Sequence, residues 1–347
     1  MTPLDQRLRR MIEANGSIPV SLWMTACLEH YYHSRDPLGR GGDFTTAPEI
    51  SQIFGELIGL WFAELWMRAG SPRAHLIELG PGRGTLMADF WRAVARVPEF
   101  HDRVRVHLVE TSPALREVQR TSVPHSTWHD SLATVPDAAP QMIIANEFFD
   151  ALPIRQFVCT TSGWRERMVN LCGDSLAFAA GDLPQDHLIP DTVRAAPPGS
   201  IWEVSPASIG IAAEIGERLQ RYGGAALVID YGHSGPVIGD TLQAVRDHGF
   251  TDPLSDAGEA DLTAHVDFSA LAVAAGVRCH GPLSQSALLT GLGLQERTAT
   301  LAGRATPEQA RLLHSGTERL IAPDAMGSLF KALALSGDGW PTPLVFP

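Results

Sequence analysis

The sequence lacks several features that define common classes of protein. Its four cysteines are scattered and form no Cys-x-x-Cys pair, which argues against a zinc site and against a disulfide framework. No stretch is apolar and long enough to span a membrane, and residues 1–15 are charged, without the apolar run of a signal sequence. We therefore expect a protein of the reducing cytoplasm that has no membrane span and no metal site.

Positive charge is also scarce. The chain has 27 Lys and Arg residues against 39 Asp and Glu residues, a net charge of −12, which argues against nucleic-acid binding as its main activity. An acidic protein suits a basic substrate better. The 347 residues, 44% of them hydrophobic, are enough for a full core and indicate one large domain or a domain with an elaboration.

The most informative stretch is residues 76–85, with the sequence Leu-Ile-Glu-Leu-Gly-Pro-Gly-Arg-Gly-Thr. It predicts a buried strand, then Gly80, Gly82 and Gly84, then a helix. Glycine permits a sharp turn and lets a ligand lie directly against the main chain. The stretch therefore predicts a nucleoside-cofactor loop; the alternative is a glycine turn that only packs a helix on a strand.

Two cofactors compete for this loop. The dinucleotide fingerprint is G-x-G-x-x-G, whereas this chain has G-x-G-x-G. A carboxylate at Glu78 would repel a pyrophosphate but suits a ligand with an ammonium or sulfonium group, and S-adenosylmethionine carries both. The next predicted strand, 104–109, ends before Glu110, whose carboxylate is predicted to accept the ribose hydroxyls. NAD would need the same acid, so an NAD-dependent oxidoreductase stays a less favoured alternative.

Strands alternate with helices through much of the chain, with further buried strands predicted at 141–145 and 225–232. This alternation predicts an α/β fold with a doubly wound, mostly parallel sheet. Ligands of such sheets lie beyond the carboxyl ends of the strands, where Glu78, Glu110, Asn146 and Glu147 fall. Asp130 lies in a turn before the strand predicted at 141–145, in a position that corresponds to those of the other acids. It is predicted to meet the adenine amino group, with a plain turn aspartate as the alternative.

Residues 146–153, Asn-Glu-Phe-Phe-Asp-Ala-Leu-Pro, form a second candidate centre. Glu147 follows a buried strand and stands beside aromatic residues, which is what a cationic acceptor group would require. Asp150 is a second candidate, or a helix cap. The glycine- and hydroxyl-rich loop at 39–48 leads into a long predicted helix, 49–69. Asp43 and Thr46 of the loop and Glu49 at the start of the helix are predicted on the substrate side, and helix capping is the alternative for Asp43 and Thr46.

The segments of the chain follow from these patterns. Residues 1–70 are predicted to form N-terminal helices and a loop that covers the cofactor, and residues 71–153 and 200–347 a core with C-terminal helices. Residues 154–199, where short β-like runs replace the alternation, are predicted to be an inserted α/β elaboration that serves a substrate or partner. His265 and Asp267 lie two apart, and we favour a turn and a helix cap over a metal or base there.

Several motifs together resemble one known family, the MidA methyltransferases, nearly end to end. The motifs are residues 42–49 (Gly-Asp-Phe-Thr-Thr-Ala-Pro-Glu), 78–84 (Glu-Leu-Gly-Pro-Gly-Arg-Gly), 146–153 (Asn-Glu-Phe-Phe-Asp-Ala-Leu-Pro), 230–232 (Asp-Tyr-Gly) and 261–268 (Asp-Leu-Thr-Ala-His-Val-Asp-Phe). The resemblance implies a Rossmann-like sheet of the class I methyltransferase type and S-adenosylmethionine as cofactor. Mitochondrial members of that family assemble respiratory complex I and symmetrically dimethylate an arginine of a core subunit.

The expected reaction is therefore in-line transfer of the sulfonium methyl group to a guanidinium nitrogen. A guanidinium is a poor nucleophile until carboxylates hold it in line and localise its charge. Glu147 is the first candidate for that role, and Asp150 or an acid of the loop at 43–49 is the second. The alternative from another class is an assembly chaperone that binds cofactor, or has lost it, on a methyltransferase fold.

Overall fold

The computed structural model describes residues 2–34 and 45–346, which divide into two compact units. The first unit holds the described residues of Met1–Phe44 together with Phe149–Gly210 and His233–Ala270. The second unit holds Thr45–Phe148, Ile211–Gly232 and Leu271–Pro347. The segments predicted from the sequence, with limits at residues 70, 153 and 199, stay a prediction.

Fourteen α-helices occur within the described residues. They are α1 (Pro3–Asn15), α2 (Val20–Ser34), α3 (Ala47–Ile50), α4 (Gln52–Arg68), α5 (Thr85–Ala93), α6 (Phe100–Arg103), α7 (Pro113–Ser122), α8 (Asp191–Arg194), α9 (Pro206–Tyr222), α10 (Phe268–Ala275), α11 (Gln285–Gly291), α12 (Leu294–Ala302), α13 (Pro307–Ile321) and α14 (Met326–Leu329).

The strands belong to several sheets, which confirms the predicted mixed α/β class. They are β1 (Ile18–Pro19), β2 (Ala74–Leu79), β3 (Val104–Val109), β4 (Thr127–His129), β5 (Gln141–Asn146), β6 (Arg155–Thr160), β7 (Gly163–Cys172), β8 (Ser175–Pro184), β9 (Ile201–Val204), β10 (Gly224–His233), β11 (Gln243–Arg246), β12 (Gly249–Thr251), β13 (Asp261–Thr263), β14 (Val266–Asp267), β15 (Arg278–Ser284) and β16 (Phe330–Ser336).

The main sheet of the second unit has the strand order β15-β16-β10-β5-β2-β3-β4. The strands from β10 to β4 are parallel to their neighbours, whereas β16 is antiparallel to both β10 and β15. The central strands β2, β5 and β10 are buried along almost their whole length. Parallel strands that are covered on both faces need such continuous apolar runs, and the sequence supplies them.

Helix α4 is apolar on nearly every side, which is typical of a buried helix, and it lies in the core of the second unit. Its side chains share one cluster with α5, β2 and β10, and large aromatic residues such as Trp66, Phe62 and Phe90 fill that cluster. The long helix predicted at 49–69 is divided in two. Ser51 has an extended conformation with φ −154° and its hydroxyl caps α4 by accepting a bond from the Ile53 amide, so α3 ends before α4 begins.

Three histidines form a hydrogen-bonded row across β2, β3 and β4. The ring nitrogens of His75 and His107 lie 2.9 Å apart, and those of His107 and His129 lie 3.0 Å apart. His107 is 5% exposed, and burial and the two neighbouring rings lower its pKa to about 4. The row is therefore built from neutral imidazoles, each able to donate at one ring nitrogen and accept at the other.

The first unit is built on a sheet in which β7 pairs antiparallel with β1, β6 and β8, and β6 pairs in turn with β9. A smaller sheet has the order β12-β11-β13. Helices α1 and α2 contribute Leu8, Trp23 and Met24 to the core of this unit. The β-like runs predicted within residues 154–199 are thus strands β6 and β7, and β8 is a further strand that was not predicted from the sequence.

The sequence predicts C-terminal helices, and the structure adds strands to them. Helices α11–α14 are present, but β15 and β16 extend the main sheet. Among the described residues no helix is both long enough and apolar enough to cross a membrane.

Candidate functional site

The glycine loop leaves the main sheet at the carboxyl end of β2. Gly80, Gly82 and Gly84 all have positive φ, at 62°, 54° and 79°. A Cβ atom at Gly80 would lie 2.8 Å from Cδ2 of Phe148, so the Phe148 ring also requires glycine there. Gly84 is the left-handed residue that precedes α5. The loop is therefore the sharp strand-to-helix turn that the sequence predicted, and residues with a side chain fit it poorly.

Two buried polar atoms without a hydrogen-bond partner stand beside this loop. They are Oε2 of Glu78 and Oδ1 of Asn146. Their side chains belong to adjacent strands at the same edge of the sheet, because Leu79 on β2 pairs with Ala145 on β5. Glu78 is 3% exposed, and burial raises the pKa of its carboxyl to about 8. A buried carboxyl oxygen and a buried amide oxygen that accept no hydrogen bond fit a cationic group that donates hydrogen bonds, such as an ammonium, which would also favour the ionised carboxylate.

Glu110 follows β3, which is the next strand of the sheet. Its Oε1 accepts from the Ser112 amide at 2.8 Å, and its Oε2 accepts from Nε2 of Gln119 at 3.3 Å. Burial raises the pKa of this carboxyl, and the hydrogen bonds from Ser112 and Gln119 oppose that rise. The carboxylate is held in a fixed orientation at the same edge as the glycine loop. Its assignment to the ribose hydroxyls stays a prediction.

Asp130 lies in the turn after β4, and its side chain is 82% exposed. It forms an ion pair with Nη2 of Arg116 at 2.6 Å. Nε of Arg116 also donates to the carbonyl oxygen of Glu110 at 2.7 Å, so this guanidinium joins the ends of β3 and β4. The predicted contact of Asp130 with adenine is not tested by this geometry, and stays a prediction.

The predicted substrate-side residues fall around α3. Asp43 lies outside the described residues. The backbone carbonyl of Thr46 accepts from the Glu49 amide at 3.0 Å, but its side chain makes no capping hydrogen bond. Oε1 of Glu49 accepts from the hydroxyl of Thr85, which is the first residue of α5. Glu49 therefore joins α3 to the end of the glycine loop, and its role toward a substrate stays a prediction.

Glu147 is the residue directly after β5, and its backbone is unusual. Its φ is 49°, in the left-handed region that non-glycine residues seldom adopt and that is often retained at functional positions. Its Oε1 accepts from the Ala47 amide at 2.8 Å and from Nδ2 of Asn146 at 3.2 Å. Since Ala47 is the first residue of the four-residue helix α3, the Glu147 carboxylate accepts from an amide that has no partner within the helix.

Two further acids were candidates, Asp150 for catalysis and Asp267 for a metal, a base or a helix cap. Asp150 belongs to the first unit and is buried, and its carbonyl oxygen accepts from the Ala264 amide at 3.0 Å. Oδ1 of Asp267 accepts from the amides of Ser269 and Ala270, at 3.0 and 3.1 Å, which is the helix cap that the sequence favoured. Within residues 2–34 and 45–346, no group of three or more His, Cys, Asp or Glu side chains is arranged to hold a metal ion.

Two residues near the site were not predicted as members of it. Asp230 lies within β10, directly after Ile229, the last residue of that strand that pairs with β5. It is fully buried, and its Oδ2 accepts from the Phe148 amide at 3.2 Å, which supports the turn after β5. The available signal was its place near the end of the strand predicted at 225–232. Gln119, in α7, is also fully buried and contacts both the glycine loop and Glu110. No pattern in the sequence marks a single glutamine within a helix.

The chain matches known proteins over most of its length. Residues 57–283 match a family model described as "Putative S-adenosyl-L-methionine-dependent methyltransferase". The human protein named "Protein arginine methyltransferase NDUFAF7, mitochondrial" is 37% identical over 376 residues, which cover 96% of this chain and 83% of the human one. The Drosophila melanogaster protein named as its homologue is 35% identical, covering 96% of this chain and 84% of its own.

Solved structures give a similar result. A COG1565 superfamily member from Burkholderia thailandensis, crystallised with bound S-adenosyl-homocysteine, has a TM-score of 0.82 and 26% sequence identity. The match covers 99% of this chain and 93% of that one. A second structure from the same organism, of an uncharacterised COG1565 protein, has a TM-score of 0.81, 27% identity and the same coverage of both chains.

These comparisons correct one prediction and confirm others. The predicted cytoplasmic location is contradicted, because the relatives are named mitochondrial. The family resemblance drawn from the motifs is confirmed, as is S-adenosylmethionine, rather than NAD, as the cofactor. On the match of 57–283 and on relatives 35–37% identical over most of its length, the chain belongs to the family of S-adenosyl-L-methionine-dependent methyltransferases.

Proposed function

We propose that this protein transfers a methyl group from S-adenosylmethionine to an arginine of a protein substrate. The observation that carries the proposal is the edge of the main sheet at which the glycine loop, the unpartnered Glu78 and Asn146 oxygens, and the left-handed Glu147 come together. The names of the animal relatives, which are protein arginine methyltransferases, support the choice of acceptor.

The cofactor would lie along the carboxyl ends of β2 and β3. Glu78 and Asn146 would receive its cationic amino acid end, and Glu110 its ribose hydroxyls. When bound, S-adenosylmethionine supplies an activated methyl group, so the protein contributes orientation and electrostatics. We further propose that the parallel run β10-β5-β2-β3-β4 is part of the doubly wound sheet of class I methyltransferases, for which the strand order provides support.

Glu147 would hold the acceptor guanidinium. A carboxylate that localises the guanidinium charge on the other nitrogens leaves the attacking nitrogen more nucleophilic. Support comes from its position: Phe148, the next residue, packs against Gly80, so this turn adjoins the glycine loop. The bonds from Ala47 and Asn146 fix Oε1 before any substrate arrives. Such preorganisation is what electrostatic catalysis requires. Asp150 is the second candidate.

The proposed methyl acceptor is a basic protein. Through the motif resemblance, a core subunit of respiratory complex I is the first candidate acceptor. We propose that residues 154–199, with strands β6–β8, provide a surface for this substrate or for a partner. The net charge of −12 agrees with a basic target.

The test is transfer of labelled methyl groups from S-adenosylmethionine to proteins of a lysate from cells that lack the enzyme, and to a candidate complex I subunit. Amino acid analysis should then find the label in methylarginine. In Glu147→Gln we expect the transfer rate to fall by about a hundred- to a thousandfold, because one preorganised charge is lost. The affinity for S-adenosylhomocysteine should stay unchanged.

Glu117→Gln is the matched control, since Glu117 is an exposed acid of α7 that pairs only with Arg120 among the ion pairs of the described residues. It should transfer methyl groups at the parental rate. A parental rate in Glu147→Gln would exclude Glu147 as the acceptor-binding group and direct the test to Asp150. If the parent binds cofactor but labels no protein, the assembly-chaperone alternative replaces catalysis.

A further inference from the structure

Gln119 occupies a junction between the two predicted cofactor contacts. Its side chain is fully buried near the end of α7. Nε2 donates to the carbonyl oxygen of Gly82 at 2.6 Å and to Oε2 of Glu110 at 3.3 Å, and Oε1 accepts from Nε1 of Trp128 at 2.8 Å. One amide therefore joins the glycine loop after β2, the acid after β3 and the indole of β4.

The chemistry of these neighbours allows only one orientation of the amide. The indole N–H of Trp128 can only donate, so it requires the amide oxygen. The Gly82 carbonyl can only accept, and an ionised Glu110 carboxylate can only accept, so both require the amide NH₂ group. An ionised glutamate at this position would present only acceptor oxygens to the Gly82 carbonyl and the Glu110 carboxylate. A methionine of similar size would present no donor to either group.

We infer that Gln119 is a positioning residue for the cofactor, whose amide holds the Gly82 peptide and the Glu110 carboxylate in the arrangement that receives the nucleoside. The inference rests on the proposed cofactor site, because Gln119 acts through Gly82 and Glu110. A second contact also joins α7 to the glycine loop, because the hydroxyl of Ser122 donates to the Arg83 carbonyl at 2.8 Å.

The charged groups around Gln119 set what a charged substitute would experience. Glu110 faces it directly. Arg116 donates to the Glu110 carbonyl, and the Arg120 guanidinium lies 5.5 Å from the centre of the Trp128 ring. A glutamate here would place a second carboxylate against Glu110, and two carboxylates so close share a proton rather than both ionise.

The experiment titrates S-adenosylhomocysteine into the parent, Gln119→Met and Gln119→Glu from pH 6 to pH 9. Loss of the amide donors in Gln119→Met should weaken binding by about tenfold at every pH, relative to the parent. Gln119→Glu should bind about a hundredfold more weakly at pH 9 and recover to within about tenfold at pH 6, where the shared proton restores a donor. Gln295→Glu, on the exposed surface of α12, is the control and should follow the parent.

The pH dependence separates positioning from packing. Equal, pH-independent losses in Gln119→Met and Gln119→Glu would overturn the inference, as would parental affinity in Gln119→Met. Thermal unfolding without ligand shows that each variant is folded at the pH of its titration. Glu110→Ala tests the underlying cofactor site separately. If Glu110→Ala binds the ligand like the parent, the assignment of Glu110 to the ribose is wrong. If Glu110→Ala weakens binding and Gln119→Met does not, only the inference about Gln119 fails.

Discussion

Glu78 allows the sharpest test of the cofactor site. It is a buried acid whose Oε2 has no hydrogen-bond partner, and this lowers the stability of the protein until a cation binds there. Its pKa is raised from 4.5 to about 8 by burial. At neutral pH, and without cofactor, the group therefore carries a proton. The perturbation is Glu78→Gln, which keeps the size of the side chain and removes the charge.

The shift has a defined sign in stability. Between pH 4.5 and about 8 the native state holds a proton on Glu78 that the unfolded chain has lost, so the free energy of unfolding falls as the pH rises through this window. A shift of about 3.5 pH units corresponds to about 5 kcal/mol, reached above pH 8. Chemical unfolding of the ligand-free protein should show this loss in the parent, relative to Glu78→Gln.

Cofactor binding should change the favoured form of Glu78 from the protonated carboxyl to the ionised carboxylate. An ammonium placed against Glu78 favours the ionised carboxylate, so binding at pH 7 should release close to one proton, about 0.9 if the pKa in the complex falls well below 7. Affinity should then rise with pH up to about 8, where the carboxylate is already ionised in the free protein, and level off above it.

The assay is calorimetric titration with S-adenosylhomocysteine at pH 7 in buffers of different ionisation enthalpy, since the observed heat then varies with the number of protons released. We expect proton release in the parent and in the surface control Glu117→Gln, and its loss together with weaker binding in Glu78→Gln. The same proton count and affinity in Glu78→Gln and the parent would refute the placement of a cationic group at Glu78.

Two further perturbations test the loop and the sheet. Gly82→Val should abolish cofactor binding, because a β-branched residue at φ 54° distorts the loop, whereas Gly173→Val, at φ 60° in open space, should bind like the parent; calorimetric titration measures both, and binding by Gly82→Val would contradict the loop assignment. Between pH 6.5 and 4 the imidazole of His107 takes up a proton in the unfolded chain but not in the folded protein, whose His107 has a pKa of about 4. Over this fall in pH, urea unfolding should therefore show the parent losing about 3 kcal/mol of stability relative to His107→Gln. A difference that does not change with pH would contradict neutral imidazoles in the histidine row.

The central strands could be predicted because burial on both faces leaves a direct trace in the sequence. The strand predicted at 104–109 is β3, with the same limits, and the strand predicted at 141–145 is one residue shorter than β5. The acids that follow these strands could also be placed at one edge, since parallel strands share it. Glu78, Glu110 and Glu147 therefore lie where the sequence put them, although their roles stay predictions.

The remaining features depend on contacts between distant parts of the chain. Strand β16 pairs antiparallel with β10, and residue 331 lies opposite residue 230. No local sequence pattern predicts that pairing. The break between α3 and α4 depends on Ser51, which is an ordinary helix residue until its hydroxyl caps α4. Gln119 is similar, because its importance comes from three neighbours on separate elements and from nothing in α7 itself.

A crystal structure of this protein with S-adenosylhomocysteine tests the central claim most directly. We predict that the ligand lies across the carboxyl ends of β2 and β3, with its amino group within hydrogen-bonding distance of Glu78 Oε2 and its ribose hydroxyls on the Glu110 carboxylate. A ligand bound elsewhere, or bound at this edge with neither carboxylate in contact, would contradict the account.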